Sequence, residues 1–214
     1  HLLRFGESVS RTPSGRAFEV ITAPVELLRD LAIVDTPGTN AILREHEALT
    51  REFVPRSDLV LFVTSADRPF TESERAFLDG IRQWGKKIVV VLNKVDLLES
   101  EEDLARVLRF IGDGARALLG TEPPILPVSA REALRARTGN APDAEQTLAR
   151  SGFPALERFL ATTLDSRERL RLKLGSPLGV GNQLAERAIL EIDGRLELLA
   201  DDLAALGEID RQLT

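Results

Sequence analysis

The stretch KKIVVVLNKVDLL, residues 86–98, decides the fold of this chain, because five apolar residues in a row run straight into a polar loop. A short, unbroken apolar run bounded by polar residues is typical of a strand buried on both faces of a parallel sheet. The runs Leu59–Val63 and Ile125–Val128 have the same character, and amphipathic stretches separate all three. The pattern therefore predicts an α/β fold in which helices flank a mostly parallel sheet.

The remaining predicted elements fit the same architecture. Further strands are predicted at Leu2–Phe5, Ala17–Ile21 and Leu31–Val34. Helices are predicted at Ala41–Phe53, Thr71–Trp84, Glu101–Leu119 and Phe153–Leu164. The second of these begins TESE, and the placement of Glu74 three residues after the Thr71 hydroxyl predicts a capping box. The polar, turn-rich segment Arg137–Glu145 is predicted to be a loop.

Composition excludes several classes of function. The chain has 214 residues, no cysteine and a net charge of −6. Disulfides and thiolate metal sites are therefore excluded. The acidic balance argues against a nucleic-acid partner, and so against a ribosome-associated role, because such proteins carry a basic surface. No run approaches the roughly 18 apolar residues of a membrane-spanning helix, so the expected location is the cytoplasm.

The first candidate site follows the predicted strand Leu31–Val34, which runs into DTPG at residues 35–38. In open α/β sheets, ligands bind beyond the carboxyl ends of the strands. The Asp35 carboxylate can hold a hydrated Mg²⁺ there, and Gly38, which lacks Cβ, lets its backbone N–H approach a phosphate. An ordinary turn is the alternative interpretation, because Asp, Pro and Gly are common turn residues.

The second candidate site is the polar loop NKVD at residues 93–96, directly after the central apolar run. Guanine presents an acceptor edge at O6 and N7 and a donor edge at N1–H and N2–H₂, so its recognition requires an amide and a carboxylate on one loop. Asn93 can act on the acceptor edge, and Asp96 can accept both donors, which adenine cannot supply. Lys94 can lay its stem along the base plane. The loop therefore predicts a guanine-nucleotide site.

The third candidate site is VSA at residues 128–130, again at a predicted strand end. The small residues Ser129 and Ala130 would let a backbone N–H reach the guanine O6, although any strand exit could carry this tripeptide. Asp67 also follows a predicted strand. It is interpreted as a turn residue, with a contact to a partner molecule as the alternative.

DTPG, NKVD and VSA, in this order and spacing, resemble the switch II, base-specificity and base-backing motifs of P-loop GTPases. The phrases LRDLAIVDTPGTNAI, VPRSDLVLFVTSADRPFTESERAFL and SGFPALERFL resemble more narrowly the bacterial branch of the dynamin family. The resemblance covers Leu2–Leu174. It implies a P-loop-GTPase-type sheet with a helical neck after it.

The resemblance also implies an activity: hydrolysis of GTP to GDP with Mg²⁺ by a head that dimerises with a like or different head across the nucleotide. Asp35, Thr36 and Gly38 would form the magnesium- and phosphate-binding group, with Asp35 reaching Mg²⁺ through water. The guanine-binding group would be Asn93, Lys94, Asp96, Ser129 and Ala130. A stalk that remodels membranes, and peripheral association with the inner face of the cell membrane, are implied by the family alone.

The chain departs from the family pattern in its phosphate loop. No GxxxxGK[ST] occurs, and Gly85-Lys86-Lys87 lacks the spaced glycine and the hydroxyl. The phosphate loop and the catalytic residues are therefore expected upstream of His1, and residues 1–214 alone are expected to be inactive. Thr39 stands where many small GTPases place a water-orienting glutamine. The alternative is a non-hydrolysing scaffold that acts through its helical arm.

The domain boundary is predicted where the pattern becomes purely helical. Residues 1–165 are predicted to form the GTPase domain and residues 166–214 the neck. Apolar residues in the neck fall on alternating three- and four-residue steps, which is a heptad pattern. The positions are Ile189, Ile192, Leu196, Leu199, Leu203, Leu206 and Leu213. A helix folded onto its own domain is the alternative.

Overall fold

The structure is a computed structural model that describes residues 1–14, 18–36, 53–163, 178, 181–182, 184–200 and 202. Its strands are β1 (Leu2–Phe5), β2 (Ser10–Ser14), β3 (Phe18–Ala23), β4 (Ile33–Val34), β5 (Leu59–Ser65), β6 (Lys87–Asn93) and β7 (Ile125–Pro127). Its helices are α1 (Leu27–Asp30), α2 (Glu72–Arg82), α3 (Glu101–Leu119), α4 (Ala130–Arg137), α5 (Ala144–Arg150), α6 (Phe153–Thr163) and α7 (184–200).

The described strands form two sheets. The first has the order β2-β3-β1-β4, in which β1 pairs with β3 in parallel, whereas β2 and β4 are antiparallel to their neighbours. The second has the order β5-β6-β7 and is entirely parallel. Helices α2, α3 and α6 pack on the second sheet through apolar residues. The predicted α/β fold, with a parallel sheet flanked by helices, is confirmed.

The central strand β6 is buried on both faces, as its sequence predicts. Val90 and Leu92 belong to a core that includes Leu78 of α2 and Ile111 of α3. Val91 points the other way, into a second core formed with residues of β7 and α6. Each of these β6 side chains is at most 4% exposed. The carboxyl end of β6 is therefore held rigidly between two layers of helices.

The prediction of burial on both faces is wrong for β5. Among the strands that the structure describes, β5 lies at the edge of its sheet, and Leu61 and Val63 are 38% and 56% exposed. The predicted strand at residues 31–34 shortens to β4, whose Ile33 and Val34 are exposed. An apolar run indicates that a strand can be buried, and the elements that pack on each face of the sheet decide whether that face is.

Other differences concern polar segments. Strand β2 was not predicted, because its sequence SRTPS has no apolar alternation and contains a proline, which is tolerated at a sheet edge. The loop predicted at residues 137–145 is shorter than predicted, because α4 ends at Arg137 and α5 begins at Ala144. The predicted helix Ala41–Phe53 lies outside the described residues except for Phe53.

The capping box predicted for α2 is present, and α3 is capped as well. Thr71 and Glu74 form the capping box of α2, with both reciprocal hydrogen bonds made. Helix α3 occupies the predicted residues, because Ser100 caps its N-terminus and Gly120, at a φ of 72°, ends it.

Helix α7 carries the described part of the predicted heptad pattern. Its positions Ile189, Ile192, Leu196 and Leu199 are more than half exposed. Arg187 of the same helix donates from Nη2 to Oε1 of Gln83, the residue after α2, at 3.0 Å. The other three heptad positions lie outside the described residues. None of the helices that the structure describes combines the length and apolar character needed to cross a bilayer.

Candidate functional site

The three strands of the second sheet are parallel, so the polar loops that follow their carboxyl ends lie at the same end of the sheet. Ser65 of β5 pairs with Asn93 of β6, and Leu92 pairs with Pro127 of β7. The exits are joined by backbone hydrogen bonds, from Ala66 N to the Asn93 carbonyl at 2.8 Å and from Val95 N to the Val128 carbonyl at 3.2 Å. NKVD and VSA therefore lie side by side at this end.

The Asn93 side chain is oriented by two backbone donors. Its Oδ1 accepts from the N–H of Lys94 at 2.8 Å and from the N–H of Ala130 at 3.1 Å. Because both donors point at the oxygen, the network assigns Nδ2 to the other side, where it serves as a donor. An amide held in this way presents a donor to an acceptor edge of a ligand.

The Asp96 carboxylate faces the VSA loop and is only 13% exposed. Oδ1 accepts a hydrogen bond from the Ser129 hydroxyl. Oδ2 pairs with Nη2 of Arg131, whose side chain is 63% exposed. The carboxylate is thus positioned by a buried hydroxyl on one oxygen and covered by a solvent-exposed guanidinium on the other. A ligand with two adjacent N–H donors could replace the exposed arginine without disturbing the serine.

The backbone of Lys94 has the left-handed conformation, which is uncommon for a residue other than glycine. Its φ is 65°, and among the described residues only Phe70 shares a positive φ without being glycine. Such conformations cost on the order of 1 kcal/mol and concentrate at functional sites. The Lys94 ammonium group lies 3.3 Å from Oδ1 of Asp67, which follows the neighbouring strand β5.

The Asp67 carboxyl is held ionised by its surroundings. A hydrogen bond from the Ser65 hydroxyl, with a smaller contribution from Lys94, lowers the pKa of the Asp67 carboxyl below its ordinary value. The carboxylate therefore stays charged at neutral pH.

The VSA loop is supported from behind by the turn between α5 and α6. The Ser129 N–H donates to the Ser151 carbonyl at 2.8 Å, and both residues are at most 2% exposed. Gly152, at a φ of 71°, lies so close to β7 that a Cβ would be 2.2 Å from the Pro127 carbonyl oxygen. The segment SGF, residues 151–153, therefore holds the VSA loop in position.

Comparison with known proteins places this arrangement in a family. The sequence model described as Dynamin family matches residues 5–95. An Arabidopsis thaliana protein named "Probable transmembrane GTPase FZO-like, chloroplastic" is 42% identical over 217 residues, which cover 92% of this chain and 23% of that protein. These matches support a dynamin-family GTPase.

Bacterial proteins resemble this chain too. Dynamin-like protein 1 of Campylobacter jejuni is 27% identical over 164 residues, which cover 72% of this chain and 22% of that protein. A solved structure of an oligomerised bacterial dynamin pair shares the fold, with a TM-score of 0.59. The two chains are 24% identical, and the match covers 91% of this chain and 30% of that one. The solved structure is described as a mechanism for the long-range sensing and tethering of membranes. The chain spans less than a third of each of these proteins.

The structure brings together the five residues that the sequence assigns to guanine. Of the predicted phosphate-side group, it describes Asp35 and Thr36. Asp35 and Thr36 follow β4 in the first sheet, where both are exposed. Gly38 lies outside the described residues. A match to the dynamin family implies Mg²⁺, which proteins usually hold by one or two carboxylates together with water and substrate phosphates. The Asp35 carboxylate fits such a site, and no cluster of three His, Cys, Asp or Glu side chains occurs among the described residues.

Sequence reasoning missed several residues of this site. Arg131 belongs to no motif and is marked in the sequence only by its position directly after VSA. The sequence favours a turn residue at Asp67. Ser151 and Gly152 were used only as part of a family phrase, although glycine after a helix is a common sign of a positive φ. Each of these residues acts through a contact with a residue distant in sequence.

Proposed function

We propose that this chain carries the guanine-recognition edge of a dynamin-family GTPase that binds GTP and hydrolyses it to GDP and phosphate. One observation supports the proposal above others: an oriented amide and a positioned carboxylate, Asn93 and Asp96, are bound to the same VSA loop. This pairing of donor and acceptor matches guanine and mismatches adenine.

In the proposed complex, each residue has one task. Asn93 donates from Nδ2 to the acceptor edge of the base. Asp96 accepts N1–H and N2–H₂, with Ser129 still bound to Oδ1 and Arg131 displaced from Oδ2. Ala130 contributes its small side chain behind the base, and the Lys94 stem covers its face.

The phosphate end of the site is proposed to involve Asp35, Thr36 and Gly38. Asp35 would hold Mg²⁺ through a water molecule. When bound, the ion neutralises charge that develops on the phosphate oxygens. None of these residues is assigned as the catalytic base.

The wider role is proposed from the family. We propose nucleotide-dependent dimerisation of heads formed by residues 1–165, and a neck formed by residues 166–214. The exposed apolar residues of α7 support a neck that packs against other helices, because an exposed stripe of this kind is stable only when another surface covers it. A role at a membrane surface follows from the same relatives.

The decisive experiment uses the full-length protein that contains this segment. GTP is expected to bind at least about 100-fold more tightly than ATP, because a site built for N1–H and N2–H₂ leaves its carboxylate unpaired with adenine. Binding is measured by fluorescence titration, and phosphate release is measured at rising protein concentration. Turnover per molecule is expected to rise with concentration if heads must dimerise.

The possible outcomes separate the two functions. Equal affinity for ATP would contradict guanine recognition. Selective GTP binding without phosphate release at any concentration would support the alternative of a non-hydrolysing scaffold.

Replacing Ser129 with alanine is expected to have two effects. The Ser129 hydroxyl accepts from the Glu132 N–H at the start of α4 and donates to Asp96. Loss of the cap is expected to lower the free energy of unfolding by about 1 kcal/mol. Loss of the bond to Asp96 is expected to weaken GDP binding about five-fold. Thermal unfolding and titration of fluorescent GDP measure the two effects in the full-length protein.

The matched control is Ser100→Ala, which removes the equivalent cap of α3 away from the site. This variant is expected to lose similar stability and to keep its affinity for GDP. If both serine variants bound GDP equally well, Ser129 would be a helix cap and nothing more.

A further inference from the structure

The contact between Asp67 and Lys94 links two loops that are far apart in sequence. The Lys94 ammonium group lies 3.3 Å from Oδ1 and 3.5 Å from Oδ2 of Asp67, across a sequence separation of 27 residues. The two residues leave neighbouring parallel strands, since Ser65 and Asn93 are register partners. The lysine stem therefore runs from the exit of β6 toward the exit of β5.

Asp67 itself is held in place by its own loop. The Ser65 hydroxyl donates to Oδ1 of Asp67, and Ser65 and Arg68 form an isolated bridge, so Asp67 sits in a tight turn. The far side of the loop is tied to the buried Thr64 hydroxyl, which accepts from the N–H of Phe70 at 3.0 Å. The carboxylate thus offers a fixed anchor to a flexible side chain.

Lys94 is fixed at its other end as well. Its N–H donates to Oδ1 of Asn93, and its backbone adopts the left-handed conformation described above. With the backbone held by Asn93 and the ammonium group held by Asp67, the stem keeps one position before any ligand arrives. Ordering a long side chain in advance removes an entropic cost from binding.

The pair adds little to folding stability. The Lys94 and Asp67 side chains are 52% and 43% exposed, and ion pairs as exposed as this one contribute little because water screens them. An effect on nucleotide binding can therefore be separated from an effect on folding.

We propose that Asp67 is a positioning residue for guanine-nucleotide recognition, which holds the Lys94 stem in the place where it covers the base. The inference rests on the proposed function. It assigns to Asp67 a role within its own chain, where the sequence suggested a turn residue or a contact to a partner molecule.

The test uses the full-length protein and fluorescent GDP. Asp67→Asn is expected to weaken GDP binding about five-fold, because Lys94 is no longer ordered in advance. The control is Asp79→Asn on α2, which removes an ion pair with Arg82 of the same 3.3 Å length and nearly the same exposure, 52% and 47%. Both variants are expected to unfold at the parent temperature, and only Asp67→Asn is expected to change affinity.

A double-mutant cycle distinguishes positioning through Lys94 from any other effect. Lys94→Met keeps the apolar stem and removes the ammonium group. In the Lys94→Met background, adding Asp67→Asn is expected to leave the affinity unchanged. The difference between the parent and Asp67→Asn is also expected to shrink at high salt.

Three results would overturn the inference. Parent-like affinity in Asp67→Asn, or a loss that persists in the Lys94→Met background, would refute positioning while leaving guanine recognition intact. A parent protein that binds ATP as well as GTP would refute the proposed function and this inference together.

Discussion

Replacing Asp96 with asparagine is expected to convert the preference of the full-length protein from guanine to xanthine nucleotides. The carboxylate can accept both N1–H and N2–H₂ of guanine, whereas an asparagine would set its amide donor against the N2–H₂ group. Losing one charge-assisted hydrogen bond and placing two donors together is expected to weaken GTP binding about 100-fold. Xanthine carries a carbonyl at C2, which the asparagine amide can bind. Titration with GTP and XTP measures both changes.

The gain of XTP binding is the informative half of this prediction. A variant that merely unfolds would lose GTP without gaining XTP. If Asp96→Asn kept the parent preference for GTP, Asp96 would not contact the base and the guanine site would have to lie elsewhere.

Gly152→Ala is expected to be the most destabilising of the single substitutions considered. The added Cβ would lie 2.2 Å from the Pro127 carbonyl oxygen, and the backbone φ of 71° is strained for alanine. Backbone at this position cannot move without disturbing β7 and the Ser129–Ser151 hydrogen bond. We expect the free energy of unfolding to fall by about 3 kcal/mol. Chemical denaturation and GDP titration check the two consequences.

Gly139→Ala separates the clash from the backbone strain. Gly139 has a φ of 73°, and a Cβ there would meet no atom within 4 Å. Its alanine variant is expected to lose only about 1 kcal/mol. Equal losses in the two variants would show that the close approach of Gly152 to β7 is not important for stability.

Sequence reasoning succeeded where local patterns determine the structure. The apolar run of β6 predicts a strand buried on both faces, and Ser100 with Gly120 delimits α3 at its predicted residues. The spacing of Thr71 and Glu74 likewise predicts the capping box of α2. In each case, neighbouring residues carry all the information that the element needs.

Sequence reasoning failed where the outcome depends on distant residues. The exposure of Val63 depends on which elements cover its face of the sheet, and the Lys94–Asp67 pair depends on the register of β5 and β6. The polar strand β2 forms because β3 offers it a partner, and its own sequence gives no sign of this. The motifs predict which residues bind guanine, but the residues that position them could be found only from contacts.

The exposed edge of β5 has a practical consequence for handling residues 1–214 in isolation. Among the described strands, this seven-residue strand is paired on one side only, and its Leu61 and Val63 are exposed. Natural sheets protect such edges with charges, prolines or bulges, because another polypeptide can add to them by strand pairing and start aggregation. Concentrating or storing the isolated segment would therefore favour precipitation that begins at β5.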